Sequence, residues 1–171
     1  MSPKHLIAQA HIDTPLGPLL AAATAHGLAG LWFDDETHHP GPLDAPVDDK
    51  QAFITMAREQ LANYWRNPAT TRFELPLDAQ GTPFQQAVWR ELLQIPRGGT
   101  CSYSDIAQRV AAPSAVRAVG AAIGRNPVSI IIPCHRVVGR NGSLTGYAGG
   151  LARKQALLER EGARVQFSLP A

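Results

Sequence analysis

The sequence predicts an α+β protein: a small sheet with one helix, followed by a mainly helical half containing a helix-turn-helix. Three observations predict it. Short apolar runs bounded by Pro and Gly crowd the first 33 residues. One long stretch, Lys50 to Trp65, repeats its apolar residues at helical spacing. Beyond Gly81, helix-start signals recur at Thr82-Pro83, Ser102 and Pro113-Ser114.

In chain order, Leu6 to Ile12 and Leu19 to Thr24 flank Thr14-Pro15-Leu16-Gly17-Pro18 and read as a β-hairpin. Leu28 to Phe33 reads as a third strand. The polar, Pro-rich stretch Asp34 to Asp49 reads as a loop. The helix at Lys50 to Trp65 is expected to bury Phe53, Met56 or Ala57, Leu61 and Tyr64. Phe73 and Leu75 suggest a last short strand. Residues 77–82 then form a linker between an N-terminal domain at 1–76 and a C-terminal domain at 83–171.

Thr82 can cap a helix whose first position is Pro83, running to about Gln94, with Phe84, Val88, Trp89 and Leu92 buried. Ser102 can cap a second helix, Tyr103 to Val110. Pro113-Ser114 opens a third, from Ala115 to about Gly124, completing the helix-turn-helix pattern. This third helix is rich in small residues and offers mainly Arg117 and Arg125 as long side chains. Such a surface suits close backbone approach and shape reading in a minor groove better than base-edge readout. Ile130-Ile131-Ile132 reads as a buried strand that stops at Pro133, which has no N–H for a ladder. Asn141-Gly142 is a tight-turn signal. Leu151 to Glu161 is a final amphipathic helix with Gly162 just past its end.

Composition narrows the function. The chain has 171 residues, two cysteines and a net charge of +2. Two cysteines make no disulfide framework, no segment has the length of a membrane-spanning helix, and the N-terminus lacks a signal-peptide core, so a reducing cytoplasm is expected. The charge is divided unevenly: residues 1–82 carry net −5 and residues 83–171 net +7, and ten of the eleven basic residues in the second part are arginines. An Arg-rich second half points to a polyanionic partner for that half.

The chemistry concentrates at Pro133-Cys134-His135-Arg136-Val137-Val138. A base and a cation beside a thiol favour the thiolate, which is the nucleophilic form. Regular β structure would send the Cys134 and His135 side chains to opposite faces. Either the chain turns at Cys134 or a water relays the proton. Glu161 sits at a helix C-terminus, where a carboxylate opposes the dipole, so another interaction is expected to hold it. Thr145-Gly146-Tyr147-Ala148-Gly149-Gly150 is a small-residue loop over which a ligand could lie.

Arg117-Ala118-Val119-Gly120, Asn126-Pro127, the Pro133–Val138 segment, Gly146-Tyr147 and Gly149-Gly150-Leu151 together resemble the O6-alkylguanine-DNA alkyltransferases, the methylated-DNA–protein-cysteine methyltransferases. The resemblance spans residues 82–162. It implies direct reversal of DNA damage, with the alkyl group of O6-alkylguanine, or O4-alkylthymine, passing irreversibly to Cys134 in a single turnover without cofactor. It implies His135 as the base acting through a water, Glu161 as its orienting carboxylate and Asn126 as the tie of the active-site turn. Tyr103 would rotate a phosphate and protonate the departing guanine, and Lys154 would donate towards the leaving group or neighbouring structure. Arg117 would fill the space of the flipped base, with Tyr103, Ser114, Ala118, Arg125 and Arg136 completing the DNA contacts. Val137, Ser129, Tyr147, Ala148 and Gly149 would wall the guanine pocket. Ala148 stands where some relatives have serine, and Ser129 where some have proline.

The implied partner is double-stranded DNA carrying alkylated guanine, met mainly through the minor groove by a monomer, with cooperative assembly on DNA left open. The implied location is the cytoplasm, on the nucleoid if the source is bacterial. Some family members hold zinc in the N-terminal domain; residues 1–82 here contain no cysteine, and no metal is expected. Two other readings stay open at this stage: a turnover thiol hydrolase using Cys134, His135 and Glu161, and a damage-binding module without chemistry.

Overall fold

The structure, a computed structural model, describes residues 5–163. The chain divides into two compact units: residues 1–80 with Pro127–Ser129, and residues 81–126 with 130–171.

In the first unit, β1 (Ala8–Ile12), β2 (Leu19–Ala23) and β3 (Leu28–Phe33) form an antiparallel sheet in sequence order. The first connection turns where the sequence placed it. Thr14 Oγ1 accepts from the Leu16 N–H and donates to the Gly17 carbonyl, and Gly17 takes a positive φ of 116°. Every residue of β2 is buried, which explains its Leu-Leu-Ala-Ala-Ala composition. The long loop after β3 is pinned by Gln9, whose side chain donates to the carbonyls of Leu43 and Ala45.

Helix α1 (Ala52–Arg66) packs on the sheet. It buries Ile54, Ala57, Leu61 and Tyr64. Ile54 therefore replaces Phe53 in the expected stripe, a shift of one residue that keeps the helical spacing. No strand forms at Phe73 and Leu75; the sheet edge is met instead by Leu77, in a parallel bridge with Leu28. The reason lies in the bonds on either side. The Leu28 N–H donates to Pro76 O at 2.9 Å, and the Asp78 N–H to Leu28 O at 2.8 Å. Much of the expected 77–82 linker is thus fixed to the first unit. Pro127–Ser129 returns to the same sheet: Leu31 N–H donates to Pro127 O at 2.8 Å, and Ser129 N–H to Leu31 O at 2.9 Å.

The second unit begins with α2 (Pro83–Leu92), held by a reciprocal capping box between Thr82 and Gln85. It ends two residues short of the expected Gln94. Val88, Trp89 and Leu92 are buried while Phe84 is only half-buried. A two-residue strand β4 (Cys101–Ser102) leads into α3 (Tyr103–Arg109), capped by Ser102 and Asp105 in the same reciprocal way. After six intervening residues α4 (Val116–Gly124) begins, and it packs against α2 and α3. The Trp89 indole N–H donates to the Ala122 carbonyl at 2.8 Å, joining α2 to α4.

The predicted strand at Ile130–Ile132 is absent. Ile130 takes φ 71°, a left-handed value that a β-branched residue reaches only under strain, and the backbone turns there. Cys134–Arg136 is a single 3₁₀ turn. It feeds β5 (Val137–Val138), which pairs in parallel with β4. The unit closes with α5 (Leu151–Arg160). Gly162, at φ 75°, donates to Glu159 O, and Ala163 N–H to Leu158 O. That pair of bonds is a Schellman motif, and it fixes Glu161 as the C-cap of α5.

Candidate active site

The turn at Cys134 follows from local bonds. Cys134 N–H donates to Ile132 O at 2.8 Å and Arg136 N–H to Pro133 O at 3.0 Å. The Asn126 side-chain amide donates to Ile132 O at 2.8 Å from a buried position, so one carbonyl takes both a backbone and a side-chain bond. In a 3₁₀ turn successive side chains diverge by about 120°, not 180°. This removes the difficulty of adjacent residues on a strand: Cys134 and His135 no longer face opposite ways.

Helix α5 supplies the partners. Lys154, Leu157, Leu158 and Glu161 fall at i, i+3, i+4 and i+7, one stripe of the helix, and its two leucines are fully buried. At the end of that stripe, Glu161 Oε1 lies 2.7 Å from His135 Nε2, and neither side chain is exposed. Arg136 forks onto the same carboxylate, Nε to Oε2 at 2.9 Å and Nη2 to Oε1 at 3.0 Å, while Nη1 donates to Ile95 O at 2.7 Å. Burial opposes ionisation of Glu161. The hydrogen bond from His135, with the hydrogen bonds and charge of Arg136, overcomes it and holds the carboxyl down at about 2.

Burial lowers the pKa of His135, and Arg136 and Lys154 push the same way against the pull of Glu161. The ring is therefore neutral at neutral pH. An ionised carboxylate can only accept, so Nε2 carries the proton and Nδ1 keeps its lone pair. Nδ1 is buried and has no hydrogen-bond partner among the described residues. A neutral imidazole, locked by a carboxylate and offering one unoccupied acceptor at the residue that follows a buried cysteine, can take a proton.

A second group is coupled electrostatically to Cys134. Lys154 is fully buried, and its Nζ donates to Thr145 O at 2.8 Å and Gly146 O at 3.4 Å. Burial pushes this ammonium down to about 8, against an opposing pull from the charge of Cys134. Thr145 Oγ1 donates to the Tyr103 phenol oxygen at 3.1 Å. Burial raises the pKa of Tyr103, the Thr145 bond lowers it, and Cys134 raises it. Cys134 is thus felt by both Tyr103 and Lys154. Tyr147 and Ala148 are half-buried and Gly149 buried in the loop leading to α5, and Val137 is buried in β5.

Arg117, Ala118, Ala121 and Arg125 are exposed. At 100° per residue they span an arc of about 100° on α4, with exposed Ser114 just before its start. The outer face of α4 is therefore flat along its small residues and carries a cation near each end.

Two sequence expectations need correction. Arg136 is not available as a DNA contact, because its guanidinium is committed to Glu161 and Ile95. Ser129 does not turn its hydroxyl to a pocket: it belongs to the first unit, and Oγ donates to the buried Glu36 carboxylate at 3.1 Å. Thr145 and the Ile95 carbonyl are participants that sequence reasoning did not name. Thr145 carried a faint signal, a lone hydroxyl in the small-residue loop next to Tyr147. Cys101 is buried, and burial raises its pKa, so it is the less reactive kind of thiol.

Residues 83–163 match the family model for the 6-O-methylguanine DNA methyltransferase, DNA binding domain. The methylated-DNA–protein-cysteine methyltransferase of Mycobacterium tuberculosis (strain ATCC 25618 / H37Rv) is 47% identical over 158 residues, covering 92% of this chain and 94% of that protein. The protein of the same name from Methanosarcina mazei is 46% identical over 151 residues, covering 88% and 94%. The crystal structure of Mycobacterium tuberculosis OGT in complex with DNA superimposes with a TM-score of 0.83 at 44% identity, covering 91% of this chain and 93% of that one. That likeness extends over both units, and the turn, helix and loop described above lie inside the matched segment. The chain belongs to the methylated-DNA–protein-cysteine methyltransferase family.

Proposed function

We propose that this protein repairs DNA by moving the alkyl group of O6-alkylguanine, and of O4-alkylthymine, onto Cys134 in one irreversible event. The observation that carries the reading is the neutral His135, anchored through Nε2 to an ionised Glu161, with Nδ1 buried and unpartnered among the described residues, in the same 3₁₀ turn as Cys134.

The lesion in a duplex hides its alkyl carbon in the base stack, so the base must be flipped out, at a cost of a few kcal/mol. Arg117 on the exposed face of α4 fills the gap. Ser114, Ala118 and Arg125 lie along the same surface, whose small residues suit the minor groove. His135 Nδ1 takes the Cys134 proton through a water, and Glu161 stabilises the resulting imidazolium. The thiolate attacks the alkyl carbon in line: the S–C bond forms as the C–O6 bond breaks, and the electron pair stays on guanine. Tyr103 gives its hydroxyl proton to a guanine ring nitrogen, neutralising the leaving group. Asn126 fixes the turn that aims the sulfur. Lys154 holds the Thr145–Gly146 backbone, and Tyr147, Ala148, Gly149 and Val137 line the guanine site.

The thioether resists hydrolysis, so each molecule acts once. The partner is double-stranded DNA bearing the lesion, engaged by a monomer in the cytoplasm. Intact and peptide-mapped mass spectrometry after incubation with a duplex containing O6-methylguanine tests this. The expected result is a gain of one methylene mass, CH2, on the Cys134 peptide. An unmodified protein overturns the reading, as does modification at Cys101 instead.

A further inference from the structure

We infer that Thr145 is a positioning residue for the alkyl transfer: its hydroxyl occupies the Tyr103 oxygen and so aims the phenol's own proton at the departing guanine. The inference rests on the proposed role of Tyr103 as proton donor.

A phenol oxygen in a crowded site serves as one donor and one acceptor. The acceptor side is taken by Thr145 Oγ1 at 3.1 Å. On the donor side, among the described residues, the Tyr103 O–H reaches only the Gly146 carbonyl, at 3.5 Å, the outer edge of a hydrogen bond. The O–H is therefore only weakly hydrogen-bonded, which leaves it open to a better acceptor arriving from outside. Thr145 is itself fixed. Lys154, buried on the inward stripe of α5, donates to its carbonyl at 2.8 Å and to that of Gly146 at 3.4 Å. One path of bonds thus runs from α5, through a buried ammonium and a loop carbonyl, to a hydroxyl and then to a phenol on α3.

The direction of the Thr145 bond has a chemical consequence. As the C–O6 bond breaks, a guanine ring nitrogen gains the Tyr103 proton and a phenolate forms. A hydroxyl already donating to that oxygen stabilises the phenolate without reorganisation. The same bond opposes the burial that raises the Tyr103 pKa. Its loss makes Tyr103 a weaker acid.

The test uses the full chain and two probes, a duplex containing O6-methylguanine and the free base O6-benzylguanine. Single-turnover kinetics separate lesion affinity from the limiting transfer rate. Thr145→Val is expected to slow the limiting rate about tenfold on both probes, the size of one hydrogen bond, with affinity changed by less than about twofold. The alkaline limb of its pH–rate profile should move to higher pH, because the donor holds its proton longer. Thr145→Ser should restore rate and profile. In a Tyr103→Phe background, Thr145→Val should have no further effect on rate. An unchanged Thr145→Val, a failure of serine to rescue, or an equal loss in the Tyr103→Phe background overturns the assignment. These outcomes are read against the wild type: if it takes up alkyl normally, only the role of Thr145 falls, whereas a wild type that takes up none removes the underlying reading as well.

Discussion

The turn at Cys134–Arg136 and the outer face of α4 lie in the same unit and use arginine in opposite ways. In the turn, Arg136 is almost wholly enclosed, at 11% side-chain exposure, and three of its nitrogens donate to protein oxygens. On α4, Arg117 and Arg125 stand exposed among alanines. An enclosed arginine sets the charge of its neighbours: with the His135 hydrogen bond it holds Glu161 ionised, and Glu161 fixes the tautomer of His135. An exposed arginine stays available to an incoming polyanion. The difference teaches that the basic count of the C-terminal half overstates its DNA-facing charge. Part of that charge is structural.

The two regions should separate under mutation. Cys134→Ser is expected to reduce alkyl uptake by more than about a thousandfold while leaving affinity for lesion-containing duplex within about threefold, measured by mass spectrometry and by fluorescence anisotropy. Equal losses in both would merge the regions.

Glu161→Gln should slow transfer about 10- to 100-fold, since one charge-assisted bond to His135 and the fork to Arg136 are lost. It should also change acid stability. The Glu161 carboxyl is depressed in the fold, from 4.5 to about 2. Its contribution is therefore complete above about pH 4.5 and is lost as pH falls towards 2, amounting to roughly 3 kcal/mol. Denaturant titrations from pH 7 to pH 3 should show roughly the first 2 kcal/mol of this loss in the wild type and a flatter profile in Glu161→Gln. Parallel profiles would contradict the assignment of Glu161 as the ionised centre.

Arg117→Ala should slow repair of duplex by about tenfold or more while leaving transfer from free O6-benzylguanine within about twofold, because only the duplex requires flipping. Uniform slowing on both substrates would refute the wedge. The smallest effect belongs to Arg125→Ala. It should weaken duplex binding severalfold at every sequence and reduce the slope of log affinity against log salt by about one, with no change in the limiting transfer rate.

Much of this was legible in the chain, and the failures have physical causes. Caps read well because they are local: Thr82 with Gln85 and Ser102 with Asp105 close their own hydrogen bonds within four residues. The stripe that brings Lys154 and Glu161 to one side of α5 also follows from spacing alone. The Ile130–Ile132 strand failed because an apolar β-branched run states only that it is buried. The positive φ of Ile130 is imposed by the turn that Asn126 and the Cys134 N–H tie to the Ile132 carbonyl. Arg136 was misassigned because its partners, Glu161 and Ile95, are 25 and 41 residues away. Ser129 was misread for the same reason, with Glu36 at a separation of 93. The contact of Thr145 with Tyr103 escaped notice because a threonine in a glycine-rich loop gives only a faint signal until the fold brings Tyr103, 42 residues away, to it.

Stoichiometry tests the central claim most directly. With a fourfold excess of duplex O6-methylguanine over protein, restored guanine should rise to one equivalent per protein and stop, with Cys134 fully converted to the thioether. Continued production of guanine beyond that equivalent, or restoration of guanine while Cys134 keeps its free thiol, would contradict the account.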